Sequence, residues 1–291
     1  MSTSRFHYEE AFSRNLGWVT QAEQARLRRT RVCIAGLGGV GGVYLTTLAR
    51  LGVGAFSVAD FDTYALANFN RQVGATMASL DQPKLDVMVE MARAINPEID
   101  VRVFPAGLDP SNLDAFLEGG DIYLDGLDFF ALDIRQQVFA RCAAKGIPAT
   151  TVAPIGMGAA LLNFVPGRMT FEEYFRMDGR DADERAARFL VGLSPAMLQL
   201  SYLVDPSHVD LANRRAPSTV IGAQLCSGIA AAQVLKIVLG RGPVLCAPRG
   251  LHFDAYRNRM RHTWRPGGNL HPIQRLLVSI VKKRLGGAGA R

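Results

Sequence analysis

Apolar and polar positions alternate along this chain in a way that divides it into short strands and intervening helices. Residues 5–30 read as helical, with Phe12, Leu16, Ala25 and Leu27 set among charged residues. Arg31-Val-Cys-Ile-Ala35 is a brief apolar run ending at glycines, the pattern of a strand buried on both faces. Val43 to Leu51 continues as an apolar helix, and Gly52 to Asp60 as a turn and second strand, closing a βαβ unit. Lys84–Ile95 is predicted as a helix stopped by Asn96-Pro97, and Ile99–Phe104 as a third strand. Leu113–Glu118 reads as a short helix, Ile122–Leu124 as a fourth strand and Ala131–Ala144 as an amphipathic helix. Ala149 to Val165 reads as two strands joined at Gly156-Met-Gly158. This order predicts an α/β fold with a doubly wound, mainly parallel Rossmann-like sheet and flanking helices.

The periodicity weakens beyond residue 166. Residues 167–216 are rich in charge and turn formers, around Arg180-Asp-Ala-Asp-Glu-Arg185, and predict an excursion over the surface, a lid or a dimer arm. Ser218 to Gly240 returns as a long, nearly all-apolar helix packed against the sheet. Near the end, apolar residues at 273, 276, 277, 280, 281 and 285 share one helical face, with Pro272 in the first turn and cations elsewhere. The expected organisation is therefore a nucleotide-binding domain over residues 1–254, with 167–216 as its excursion, and a basic tail over 255–291 carrying a C-terminal amphipathic helix. That helix is expected to dock on the body or on a second subunit, with an anionic membrane surface and nucleic acid as the other readings. Gly286 to Arg291 is expected to be disordered.

Charge sharpens this division. The net charge is +7, but residues 255–291 hold nine Arg or Lys and no acid, so the other 254 residues sum to −2. The basicity belongs to the tail and says nothing about a site in the body. Cys33, Cys142, Cys226 and Cys246 form no close pair, which suits reduced, buried thiols in a cytoplasmic protein. The first residues lack the pattern of a signal peptide. The apolar stretch from Ile147 to Pro166 is broken by Pro148, Pro154, Gly156 and Gly158, so a membrane partner is not expected.

Candidate chemistry begins at Gly36-Leu-Gly38-Gly39-Val-Gly41, between a buried strand and a helix. Glycines there let backbone N–H groups approach phosphate oxygens at a helix N-terminus. Asp60 ends the second strand, where an acid accepts hydrogen bonds from ribose hydroxyls. Up to this point NAD and ATP fit equally. Asp62, Asn68, Arg71, Gln72 and Lys84 follow, and a group of cations beside the ribose acid suits a triphosphate. Asp128 lies just past the fourth strand, at the sheet edge where ligands bind. Its carboxylate suits Mg²⁺, which takes oxygen ligands, and equally suits a cap for the next helix.

Together, Gly36–Gly41, Asp60-Phe-Asp62, Asn68–Gln72, Lys84, Asn96-Pro97 and Asp128 resemble the ubiquitin-activating-enzyme-like (ThiF/MoeB-type) adenylyltransferases in order and spacing. The resemblance covers residues 10–166 and extends through Pro217–Gly240. It implies ATP-dependent activation of a carboxylate as an acyl-adenylate, with release of pyrophosphate. It also implies that Gly36, Gly38, Gly39 and Gly41 line the phosphates and Asp60 and Asp62 the ribose side. Asn68, Arg71, Gln72 and Lys84 would contact phosphates, and Asp128 would hold Mg²⁺. The implied catalytic set is Arg14, Arg71, Lys84 and Asp128. Ser13-Arg14-Asn15 resembles a segment whose arginine reaches the neighbouring subunit's ATP, implying a homodimer; an exposed helix arginine is the other reading.

Three departures qualify the resemblance. The two Cys-x-x-Cys pairs of zinc-binding relatives are missing, so zinc is not expected. The segment Leu211–Ser218 holds no cysteine and Cys226 falls in an apolar helix, so no obligatory enzyme thioester is expected. The family's Asp-Asn pair is Asp128-Phe129 here, and Arg135 lies further along than usual. The expected substrate is a carboxylate on a small protein, a peptide or a metabolite. A tRNA held by the basic tail, with a nucleoside carboxylate to be cyclised, is the alternative substrate, and an inactive nucleotide-binding scaffold the alternative role.

Overall fold

The structure is a computed structural model that describes residues 6–209 and 216–288, with side chains as far as 283. In chain order the elements are α1 (Tyr8–Ala11), α2 (Gln21–Arg29), β1 (Arg31–Ala35), α3 (Gly41–Arg50), β2 (Ala55–Ala59), α4 (Lys84–Ile95) and β3 (Asp100–Phe104). Then come α5 (Leu113–Leu117), β4 (Ile122–Asp125), α6 (Leu132–Lys145), β5 (Ala149–Ile155), β6 (Gly158–Phe164), α7 (Phe171–Phe175) and α8 (Ala182–Leu193). α9 (Val220–Leu239), β7 (Arg249–Asp254), β8 (Arg259–Trp264) and α10 (Pro272–Ala288) complete the chain, with short 3-10 turns between.

One eight-stranded sheet, ordered β3-β2-β1-β4-β5-β6-β7-β8, forms the frame. The first five strands in that order are parallel, and β6, β7 and β8 continue antiparallel. Alternation along β1 sends Val32 and Ile34 into a core with α3, α4 and α9, and Cys33 and Ala35 into one with α5 to α8. Both layers are needed because a parallel sheet is apolar on both faces. The connection leaves β1 on one side toward β2 and later returns to β4 on the other. The C-terminal ends of β1 and β4 therefore form the crevice where an open α/β sheet takes its ligand.

Four expectations need correction. The helix expected over 5–30 is two helices, separated by Gly17 at φ +104°, which a continuous helix does not allow. Residues 167–216 are not wholly a surface excursion: Phe171, Tyr174, Phe175 and Phe189 are buried and pack with Phe139 and Phe164. Their aromatic area outweighs the charges that alternate with it in sequence. A boundary at residue 254 would cut the β7–β8 hairpin, whose strands run in register from Arg249↔Trp264 to Asp254↔Arg259. Finally, α10 runs on through Gly286 to Ala288, where disorder was expected; residues 289–291 lie outside the described residues.

α9 is the one helix among the described residues long and apolar enough to cross a membrane by length and composition. Here Ala223, Cys226, Ala230 and Val234 are buried in the core it shares with β5, β6 and α3. α10 lies on α8, with Val278 packed in a small core with Ala187 and Val191.

Candidate nucleotide site

The glycine turn follows from local sterics. Gly36 takes φ +81°, and a side chain there would collide with the carbonyl of Gly126 in the loop after β4. Gly41 backs directly onto the Gly36 carbonyl, so the turn and the first residue of α3 close against each other. Gly38 and Gly39 face outward instead. A Cβ on Gly38 would meet only Gln72, at 3.6 Å from Nε2, and one on Gly39 only Arg71, at 3.7 Å from Cγ. The bare turn thus opens toward the segment expected to hold phosphates.

Asp60 ties the turn to β2. Its Oδ2 accepts from Leu37 N–H at 2.6 Å and its Oδ1 from Asp62 N–H at 2.8 Å. Burial pushes this carboxyl above the usual carboxylate range, against the pull of those two donors. Asp62 in turn accepts from Lys84 Nζ at 2.8 Å, and Lys84 is buried at the first residue of α4. An ammonium at a helix N-terminus opposes the helix dipole, so Lys84 depends on its carboxylate partner.

The Asn68–Gln72 segment is a tight turn. Asn68 Oδ1 accepts from Ala65 N–H at 3.0 Å, and Arg71 Nη1 donates to Ala67 O and Asn70 Oδ1, both at 2.9 Å. Gln72 is buried, and its Oε1 has no hydrogen-bond partner among the described residues. A buried, unpartnered amide oxygen beside the glycine turn is an acceptor that can take a donor, such as a nucleotide hydroxyl or amine. Asn70 Nδ2 also donates to Ser218 O at 2.9 Å, binding this turn to the approach of α9. Sequence reasoning missed that link.

Asp128 is exposed at the β4 end, and its Oδ1 accepts from Phe130 N–H at 2.9 Å. This is a local turn bond and not the helix cap expected for a helix near Phe129: α6 begins at Leu132, with Ala131 at its N-cap and no side-chain cap. Among the described residues no group of three His, Cys, Asp or Glu is placed to hold a metal ion by itself. A single exposed carboxylate suits Mg²⁺ only when phosphates and water supply the remaining ligands.

Arg135 organises the same loop. It is buried, with Nε 2.9 Å from Asp125 Oδ2 and Nη2 2.7 Å from Leu127 O and 3.0 Å from Asp128 O. Its position on the buried stripe of α6, with Leu132, Val138, Phe139 and Cys142, was the available signal.

Arg14 stands apart from all of these. Asn15 Nδ2 donates to Leu51 O at 3.2 Å, at the C-terminal end of α3, whereas the glycine turn lies at its N-terminal end. Ten residues of helix span roughly 15 Å, so Arg14 is not part of this chain's own crevice. Cys226 is fully buried and its thiol pushed far above its ordinary range, which withholds the thiolate. Of the cysteine-free segment before α9, residues 211–215 lie outside the described residues.

A glycine turn at a topological switch point, tied to an acid at the end of β2, is the arrangement by which open α/β sheets take nucleotides. The profile of the ThiF family matches residues 12–271, and the chain belongs to that family. It is 36% identical over 141 residues to the molybdopterin-synthase adenylyltransferase of Escherichia coli, covering 48% of this chain and 56% of that protein. It is 31% identical over 151 residues to the tRNA threonylcarbamoyladenosine dehydratase of Haemophilus influenzae, covering 52% of this chain and 57% of the relative. The matched stretches thus span little more than half of these relatives. In fold the chain is similar to selenomethionine PaaA, with TM-score 0.65 and 18% identity over 91% of this chain and 77% of that one. It is also similar to E. coli MccB crystallised with ATP, with TM-score 0.61 and 19% identity over 83% of this chain and 65% of that one.

Proposed function

We propose that this protein activates a substrate carboxylate with ATP, forming an acyl-adenylate and releasing pyrophosphate. The observation that carries the reading is the open face of Gly38 and Gly39 toward Arg71 and Gln72, with Lys84 joined to the same turn through Asp62 and Asp60. In the reaction a carboxylate oxygen attacks the α-phosphorus, the bond to the β-phosphate bridging oxygen breaks, and that oxygen leaves with pyrophosphate. The carboxylate is already ionised at neutral pH, so the site needs no general base. Backbone N–H groups of the turn and the side chains of Arg71 and Lys84 fix the triphosphate and offset its charge. Asp128 would hold Mg²⁺, which when bound neutralises the phosphate oxygens. Asn68 and Gln72 supply polar contacts, and Asp60 receives the ribose. No obligatory thioester to the enzyme is part of this reading, and the burial of Cys226, the cysteine nearest the crossing segment, supports it. Arg14 completes the site of a second copy, which makes the active form a homodimer. Four cysteines free of disulfides are compatible with the cytoplasmic residence included in this reading.

The test is ATP–pyrophosphate exchange with Mg²⁺ across small proteins with free C-termini, peptides and metabolite carboxylates. Exchange that depends on one class and is lost in Asp128→Ala is the expected result. ATP binding without exchange for any class returns the scaffold reading, and no ATP binding removes the proposal.

A specific observation favours tRNA as the carboxylate's carrier. α10, the expected docking helix, spends Lys282 on Asp181 at 2.8 Å and Glu184 at 2.9 Å. Arg249, Arg257, Arg259, Arg261 and Arg265, on and beside the β7–β8 hairpin, have no ion pair among the described residues, and Trp264 and Tyr256 are exposed among them. Unpaired arginines with exposed aromatics suit phosphates and bases. Binding of tRNA that weakens steeply with salt and fails in an Arg259→Glu/Arg261→Glu variant supports this carrier; binding unchanged in that variant rejects it.

A further inference from the structure

The loop carrying Asp128 is held by a part of the molecule far from it in sequence. Arg135 directs the edge of its guanidinium at the loop: besides its bonds to Asp125, Leu127 and Asp128, Nη1 donates to Phe129 O at 3.3 Å. With four of its five N–H donors bonded along its edge, the planar guanidinium offers its face for packing. That face lies over the ring of Phe189, with Cζ 4.5 Å from the ring centroid. The same ring lies 5.3 Å from that of Phe129, the residue after Asp128. Phe189 therefore touches both the loop and the arginine that fixes it, from α8, an element the glycine and aspartate motifs do not include.

The opposite side of α8 is clamped by α10. Residues two apart on a helix point about 200° apart, so Ala187 and Val191 face away from Phe189. Those two pack with Val278 of α10. Gln274 Nε2 donates to Val191 O at 3.3 Å, and Lys282 pairs with Asp181 and Glu184 in the first turn of α8. Asn269, just before α10, donates to Arg188 O at 2.9 Å and to Phe175 O at 2.8 Å. Phe175 in turn packs 5.1 Å from the Phe189 ring. A continuous path of contacts thus runs from the C-terminal helix through α8 to the loop of Asp128.

We propose that Phe189, acting through Arg135, is a positioning residue for the Asp128 loop, and that α10 supports the site by fixing α8. The role of the loop in catalysis rests on the adenylation reading above; the order of the loop does not. Removing the ring uncovers the guanidinium face and frees Phe129. The backbone carbonyls that Arg135 holds then lose a fixed partner, and the carboxylate of Asp128, which would hold Mg²⁺, is no longer kept in one orientation.

The experiment compares Phe189→Leu with replacement of Phe189 by fluorinated phenylalanines, which keep the shape of the ring while drawing charge from its face. Hydrogen exchange is read at Phe130 and Ala131, whose N–H groups bond Asp128 Oδ1 and Asp128 O. In Phe189→Leu exchange at both amides should rise about tenfold, with a graded rise across the fluorinated series. Mn²⁺ affinity of the ATP-bound protein should weaken by a similar factor, and kcat should fall while KM for ATP stays within about twofold. A Val278→Ala/Lys282→Ala variant, distant from the loop, should raise the same two amides by about threefold. Unchanged exchange at 130 and 131 in the folded Phe189→Leu protein overturns the positioning role. Unchanged exchange in the α10 variant overturns the supporting role of that helix. A wild-type protein that shows no pyrophosphate exchange would instead overturn the adenylation reading and leave the amide results standing.

Discussion

The two halves of the sheet are built on different terms. From β1 to β4 the strands are parallel and wholly or largely buried apart from β3. The glycine turn, Asp60, Lys84 and Asp128 stand within a few positions of a strand end or helix start, and Asn68–Gln72 lie in the long connection from β2 to α4. From β5 to β8 the sheet turns antiparallel, polar residues point inward at His252 and Asp254, and the covering helices α7, α8 and α10 come from later in the chain. In the proposed reading the first half, with Arg135 of α6, supplies the phosphate site. The second supplies the wall behind it, through Phe189 of α8, and carries the arginine-rich hairpin. A short motif can therefore be shared widely within a family while the wall behind it varies.

The comparison breaks most readily at the cradle. Arg71→Ala should lower pyrophosphate exchange by about 10²–10³-fold, the order found when one donor to a developing charge is removed, with little change in Tm. A loss matched by unfolding would show that Arg71 belongs to the frame and not to the chemistry. In the second half the effect should be reversed in kind. Phe175→Ala should cost about 3–5 kcal/mol in urea unfolding, because a buried ring leaves a cavity. A cost within about 0.5 kcal/mol would return residues 167–216 to the surface.

Asp60→Asn sharpens the distinction between site and frame. Its carboxyl is raised by burial, so the folded protein binds this proton more tightly than the unfolded chain does. Its contribution to stability therefore falls as pH rises through the ordinary carboxylate range and levels off above the folded value. The asparagine variant should lack that slope, hold its Tm at neutral pH, and bind ATP more weakly in calorimetry. A Tm that drops at neutral pH would instead make Asp60 a structural anchor.

The smallest effect is expected at the clamp of α10 on α8. Lys282 beside them holds the carboxyls of Asp181 and Glu184 below their ordinary range, and those acids hold Lys282 above its own. The acids' contribution is complete above their ordinary values and is lost as pH falls below them. The lysine's is complete below its ordinary value and is lost only at strongly alkaline pH. Amide exchange in α8 should therefore stay flat at neutral pH and rise on acidification, with Lys282→Ala reducing that rise. A rise undiminished in Lys282→Ala would place the acid sensitivity in the Asp181 cap and the Arg188–Glu184 pair instead of the clamp.

How much of this was legible follows the same division. Val32–Ala35 and Ile122–Leu124 read as strands because a buried parallel strand is apolar at every position, and Asn96-Pro97 marked the end of α4. β7 and β8 were not legible, because their inward positions are Gly250, His252 and Asp254 and no hydrophobic alternation survives. The interior role of α7 and α8 was masked by Glu172, Glu173, Arg185 and Arg188, which share those helices with the buried aromatics. Asp60, Arg71, Gln72 and Lys84 were named from their place after the second strand, the charge a triphosphate carries and the family resemblance. What each one touches, such as Asp62 for Lys84, came only with three dimensions. Arg14 was expected at a neighbouring subunit's site, and its place at the far end of α3 from the glycine turn is consistent with that expectation without testing it.

The most direct test of the account follows oxygen. Once exchange has identified a substrate, its carboxylate is labelled with ¹⁸O and carried through a full turnover with ATP and the final acceptor. Attack by a carboxylate oxygen on the α-phosphorus requires one labelled oxygen to leave in AMP, with none in pyrophosphate. Label in inorganic phosphate with ADP as the partner product would place the attack at the γ-phosphorus and contradict the adenylation account.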